Sequence, residues 1–196
     1  MTSIRPKCVK KIFNREKTME IRKTKPNIEL PCKVYIYCTQ GKHKCYEIDK
    51  SGMFTLGNYT YDSRRVCNGK VVAEFTLNKV TTHLHNFIDC EEEECYNFLV
   101  EDVKNAGFNT EIDGLLDFDR FVEEYGKGKP LYGWHIDDLK IYDKPKELSE
   151  FVHWVIDGYG WKCKKNTGGN FEVLEELKRP PQSWCYVESL EETNED

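Results

Sequence analysis

The first 22 residues constrain the fold more than any other stretch, because they drive a helix directly into a strand. Pro6 suits the first helical position, where its missing N–H would have no intrahelical partner anyway. Val9, Ile12 and Phe13 repeat at helical spacing, so this helix buries one face. Asn14 and Arg15 predict a turn, after which Thr18 to Arg22 alternates. The alternation sends Met19 and Ile21 to one side of a strand and Thr18, Glu20 and Arg22 to the other. Three hydrogen-bonding side chains therefore share one strand face.

A chain of 196 residues supports one hydrophobic core and leaves little room for a second independent domain, so a single domain over residues 1–190 is expected, followed by an acidic tail at 191–196. With 39% hydrophobic and 13% aromatic residues, the chain is too apolar to stay disordered. Its net charge of −5 gives no general attraction to nucleic acid, so any such contact has to be local. The chain begins without a charged-then-apolar leader, and no apolar run approaches the roughly 20 residues that span a bilayer; a cytoplasmic location and no membrane contact are expected. Nine cysteines, an odd number, argue against a full disulfide framework and read mostly as small buried hydrophobes.

Along the chain, residues 23–31 read as a loop and Cys32 to Cys38 as a strand in which Val34 and Ile36 alternate with Tyr35 and Tyr37. Residues 39–68 read mainly as loop, Gly69 to Leu77 as a strand and Lys79 to Leu84 as a shorter one. Inserted helices are expected around 90–126: one capped by Asp89 and stopped by Gly107, another capped by Asp117 and stopped by Gly126. Leu131 to Tyr142 predicts a strand or strand pair broken at Lys144-Pro145. Glu147 to Ile156 predicts a helix, Gly158 to Asn170 a surface loop, Glu172 to Leu177 a helical turn and Ser183 to Glu188 a closing strand. The pattern is α+β, a mixed β-barrel with helices inserted between strands.

Arg5 and Lys7 flank a helix N-terminus, where unpaired N–H groups and the helix dipole favour an anion, and Lys17 can add a contact from the turn; the alternative is a set of ordinary surface cations. Glu20 and Arg22, two apart on one strand, either form an ion pair on the sheet face or act on a ligand, Glu20 accepting from the exocyclic amine of a base or moving a proton and Arg22 orienting it. Trp134 and His135, and separately Gln182, Ser183 and Trp184, offer a stacking surface and edge contacts for an exposed base, or else belong to a core. A metal would rest on Cys38, His43 and Cys45 or on Cys90 and Cys95, but no Cys-x-x-Cys pair occurs and no metal site is expected. No glycine motif that cradles phosphate is present either, so no cofactor is expected.

The run Ser3-Ile-Arg-Pro-Lys7, the short helix after it and Glu16-Lys-Thr-Met-Glu-Ile-Arg22 resemble the opening signature of the ASCH domain, a branch of the PUA-like superfamily. Tyr132-Gly-Trp-His-Ile136 and Arg179-Pro-Pro-Gln-Ser-Trp184 are similar to segments of its small phage- and Firmicute-type members. The resemblance implies a PUA-like barrel with a cleft beside the first helix that holds RNA, a nucleotide or a modified nucleoside. Some members are amidohydrolases acting on acetylated cytidine through a lysine, a threonine and a glutamate. Lys17 matches that lysine and Glu20 stands at the threonine's place, so a small hydrolase or ribonuclease using Lys17 and Glu20 is a second expectation. A third is a phage-type protein that binds a host factor through acidic surface such as Glu91 to Glu94 and the tail. Whether the chain is an enzyme, and its oligomeric state, stay open at this point.

Overall fold

The structure, a computed structural model, describes residues 1–42, 45–56, 59–83, 100–108, 112–156, 163–165 and 171–190. Its elements run β1 (Thr2–Ile4), α1 (Pro6–Phe13), β2 (Met19–Arg22), β3 (Cys32–Cys38), β4 (Tyr46–Leu56), β5 (Tyr59–Val66), β6 (Lys70–Leu77) and β7 (Val80–His83). Helical residues 100–105, here α2, precede α3 (Ile112–Gly126), β8 (Leu131–His135), β9 (Asp137–Lys146), β10 (Phe151–Ile156), β11 (Cys163–Lys165), β12 (Phe171–Glu176) and β13 (Glu188–Ser189). The fold is α+β. The described strands form sheets ordered β1-β3-β6-β9, β11-β12-β10-β13, β2-β8-β7 and β4-β5. Among the described residues no helix is long and apolar enough to cross a membrane.

The chain divides into two compact units. One comprises Met1–Pro6, Tyr35–Ala73 and Ile141–Asp196. Tyr35, Tyr37, Val71, Tyr142, Phe151 and Leu177 form its core, with the Tyr35 and Phe151 rings edge-on at 4.8 Å. Cys38, Cys45 and Cys67 are buried free thiols of this unit, in keeping with their reading as small apolar residues. A hydrogen bond with the Cys45 thiol, followed by burial, holds the Cys38 thiol far above the ordinary thiol range, which leaves it protonated and inert.

The other unit comprises Lys7–Val34 and Glu74–Lys140. Its core joins Met19, Ile21 and Leu131 from the β2-β8-β7 sheet to Val103 and Ala106 near the end of α2 and to Phe118 and Val122 of α3. Phe108 packs edge-on against Phe118 at 5.4 Å.

Several elements differ from the sequence expectation. Residues 39–68 are not mainly loop: β4 and β5 pair antiparallel, and a register shift between Asp49 and Met53 interrupts the period-two pattern that would have announced them. Glu147 to Ile156 is not a helix but a 3-10 turn at Leu148–Glu150 followed by β10, where Val152, Val155 and Ile156 bring β-branched stiffness that suits a pleated sheet. Glu172 to Leu177 is likewise strand rather than helical turn, because β12 pairs with β10 from Val152↔Glu176 to Ile156↔Glu172. Lys144-Pro145 does not end β9, which runs to Lys146. As the last strand in its sheet order, β9 tolerates a residue without an N–H.

Asp117 does not cap α3, which starts at Ile112; it is an exposed mid-helix residue 3.6 Å from Arg120. Ser183 to Glu188 is reduced to an isolated Thr2↔Trp184 bridge and the short β13. The loop expected at Gly158 to Asn170 contains β11, which pairs with β12 at Cys163↔Val173; its remaining residues lie outside the described ones. Outside them too lie the Asp89 cap, the acidic run Glu91 to Glu94, His43 and the tail.

Candidate functional site

Two helix ends build the site. At the end of α1, Arg15 takes φ 62° while Glu16 N–H bonds to Lys11 O at 2.9 Å and Arg15 N–H to Ile12 O at 3.0 Å, a Schellman closure with arginine in the position that glycine usually fills. At the end of α2, Gly107 takes φ +81°, with Phe108 N–H on Val103 O at 3.1 Å and Gly107 N–H on Lys104 O at 2.8 Å, the same closure with glycine. The second closure meets the residues that leave the first. Thr18 N–H donates to Asn105 O at 2.8 Å, the Thr18 hydroxyl to Asn105 Oδ1 at 2.9 Å, and the Lys11 ammonium to Gly107 O at 2.6 Å. A Cβ on Gly107 would stand 3.1 Å from Lys17 Cβ, so the approach requires glycine.

This docking fixes Lys17. Its ammonium donates to Ala106 O at 3.0 Å, a carbonyl at the negative end of α2, and lies 3.5 Å from Glu20 Oε2. Glu20 Oε1 in turn lies 3.3 Å from Arg22 Nη2. Lys17, Glu20 and Arg22 are only 6%, 9% and 6% exposed, so they form a buried chain of alternating charge rather than a solvated charged strand face. Glu20 Oε2 accepts no hydrogen bond, and the Lys17 ion pair is what compensates it. Desolvated ions stay charged only when paired this closely.

Register decides which side chains face together. Glu20 lies opposite Trp134 and Arg22 opposite Tyr132, while Val80 and Thr82 of β7 lie opposite the same two β8 residues. Glu20, Arg22, Trp134, Tyr132, Val80 and Thr82 thus share one sheet face. Met19, Ile21 and Leu131 take the other, against the helices. On the first face lies a hollow of about 570 Å³, walled by loop residues 25–30 and floored by Val80, Thr82 and Tyr132. The Trp134 indole N–H donates to Thr24 O at 3.3 Å and so ties down the start of that loop. The hollow is not lined by Lys17, Glu20 or Arg22 themselves.

The remaining expected residues fall elsewhere. His135, adjacent to Trp134, projects to the opposite face, where its Nε2 lies 3.3 Å from the Thr81 hydroxyl. Burial, with the Lys79 charge, pushes its pKa below the ordinary histidine value. Arg5 and Lys7 are exposed. Gln182, Ser183 and Trp184 belong to the first unit, where Ser3 N–H bonds to Ser183 O at 2.9 Å and the Ser3 hydroxyl to Pro181 O at 2.6 Å, tethering this segment to β1. Trp184 packs edge-on against the exposed Tyr186 at 5.3 Å.

Sequence reasoning missed the hollow. The alternation of Leu131 to His135 pairs Tyr132 with Trp134 in facing, but nothing local says that Val80 and Thr82 of β7 share that face. Among the described residues no group of histidine, cysteine and carboxylate side chains is placed to hold a metal ion.

No family model matches the chain, and no curated protein matches it. Among solved structures, the chain is similar to ASCH from Zymomonas mobilis, at 15% identity and a TM-score of 0.43, over 75% of this chain and 71% of that one. It is also similar to a point mutant of that protein, at 14% identity and the same TM-score of 0.43, over 75% of this chain and 73% of that one.

Proposed function

We propose that the protein is an ASCH-type binding protein for RNA or a nucleotide-like ligand, with the PUA-like barrel arrangement that its opening signature implies. One observation carries the reading: in the segment that bears the signature, Lys17 to Arg22, three buried charged side chains pair in a row, and two of them, Glu20 and Arg22, share the sheet face that also bears a hollow of about 570 Å³. That volume falls in the range of small-ligand sites, about 300–1,000 Å³. Expensive buried charge beside a hollow is a mark of a site whose geometry matters. Lys25, three residues past Arg22, lines the hollow and gives an otherwise acidic chain a local cation for phosphate.

Titrating the full chain at low salt with short single-stranded RNAs and with mononucleotides tests the proposal. Binding that weakens as salt rises is expected; absence of binding to every such ligand overturns it. The hydrolase reading uses the same two residues, Lys17 and Glu20, whose ammonium and carboxylate oxygen stand 3.5 Å apart. Incubation with acetylated cytidine and with labelled RNA separates the two, since turnover abolished by Lys17→Ala in a folded variant identifies an enzyme.

A further inference from the structure

We infer that the hollow over β7 and β8 receives one nucleotide unit, a base with its phosphate, and that Lys17, Glu20 and Arg22 are positioning residues to its side rather than ligand contacts. The inference rests on the binding reading above and assigns its contact residues. The trio is more than nine-tenths buried, with the Lys17 ammonium on Ala106 O and Glu20 Oε2 and Glu20 Oε1 beside Arg22 Nη2, and none of the three lines the hollow. A ligand reaches the hollow through other groups.

Those groups match a nucleotide. Tyr132 presents a half-buried flat ring at the floor, and Val80 beside it is apolar, a combination that accepts the face of a base. Thr82, exposed on the same face, supplies a hydroxyl that both donates and accepts, as a base edge or a ribose hydroxyl requires. Lys25 and Glu29 stand in one wall with opposite charge. Lys25 attracts a phosphate, whereas Glu29 repels it and accepts from an exocyclic amine, so the two orient the ligand end to end. The Trp134 to Thr24 hydrogen bond anchors this wall to the sheet, and Trp134 lies in register with Glu20. The trio therefore acts on the ligand through the sheet and the loop root.

The test is calorimetric titration of the full chain, wild type and variants, with ribonucleoside 5′-monophosphates and with a short 5′-phosphorylated RNA. Tyr132→Ala is expected to weaken binding by about 5- to 150-fold, the range of one lost base stack, and Tyr132→Phe to preserve it. Lys25→Gln is expected to weaken the phosphorylated ligands but leave the corresponding nucleoside unchanged. Loss with mononucleotides identifies a free nucleotide as the occupant, and loss with RNA alone identifies a strand end. Circular dichroism checks each variant's fold; Thr82→Val and Lys25→Gln change exposed side chains and carry the test should Tyr132→Ala unfold. Wild-type binding that none of these variants alters overturns the hollow while leaving the binding function standing. Failure of the wild type to bind any nucleotide or RNA removes both.

Discussion

The Lys17 ammonium stands 3.5 Å from Glu20 Oε2, and both side chains are nearly inaccessible to water. Each charge has a second support, Ala106 O for the Lys17 ammonium and Arg22 Nη2 for the Glu20 carboxylate. Glu20→Ala removes the carboxylate that Lys17 and Arg22 share and is expected to cost about 3–5 kcal/mol in urea unfolding. A loss under about 1 kcal/mol would mean that water already reaches the pair, and the description of a buried trio would fail.

Gly107 is expected to resist any side chain. Alanine there meets both the φ of +81° and the 3.1 Å approach to Lys17 Cβ, so Gly107→Ala should destabilise by about 1–2 kcal/mol. Thermal denaturation measures it, and an unchanged midpoint would show that α2 does not dock on Lys17 as described.

Asp102 makes stability depend on pH. It is 5% exposed, and burial, opposed in part by Lys79, raises its carboxyl from the ordinary 3.8 to about 6. The folded protein thus holds this proton more tightly than the unfolded chain does. The resulting stabilisation is complete below pH 3.8 and is lost as pH rises through about 6. His135 acts in the opposite direction: its lowered pKa favours the neutral ring, so its contribution is complete above the ordinary value of 6.5 and is lost as pH falls from there through the lowered folded pKa. Asp102→Asn is expected to flatten the fall across this window and to narrow the loss of stability at neutral pH. Parallel unfolding curves at pH 4 and pH 7 for wild type and variant decide it; equal pH dependence in both counts against the assignment.

Trp134→Phe keeps a smaller aromatic ring at this buried position and removes the donor to Thr24 O. Faster proteolysis within residues 24–30 is expected, with about 1 kcal/mol of lost stability. Cleavage at the wild-type rate would show that the indole does not hold the loop.

Asp117→Ala provides the contrast. The residue sits inside α3, with its side chain 64% exposed and Arg120 3.6 Å away. The effect should stay within about 0.5 kcal/mol, whereas loss of a true helix cap costs about 1 kcal/mol.

The α1–β2 segment was legible in the sequence because each of its signals is local: Pro6 at the helix start, apolar spacing at Val9, Ile12 and Phe13, and strict alternation from Thr18. The neighbours of that segment were not. That Lys17 is buried follows from α2 docking at Asn105 and Ala106, nearly ninety positions along the chain, and no pattern within residues 14–22 encodes it. Similarly, Glu147 to Ile156 spaces Leu148, Phe151, Val152 and Val155 as a helix would, yet pairing with β12 prevails once a partner strand is available. The tie between Trp134 and His135 dissolved for the simplest reason: neighbours along a strand look in opposite directions.

Pro145 carries a consequence beyond local geometry. The outermost strand of a sheet is a template on which a second molecule can polymerise, and growth requires a continuous row of amide donors. Among the described strands β9 holds the last place in its sheet order, and it lacks one such donor at Pro145, the position before its last residue, Lys146. A crowded cell full of copies of this chain is thereby offered a poor seam for end-to-end accretion, and the protection is written into the covalent backbone, where neither salt nor pH can remove it.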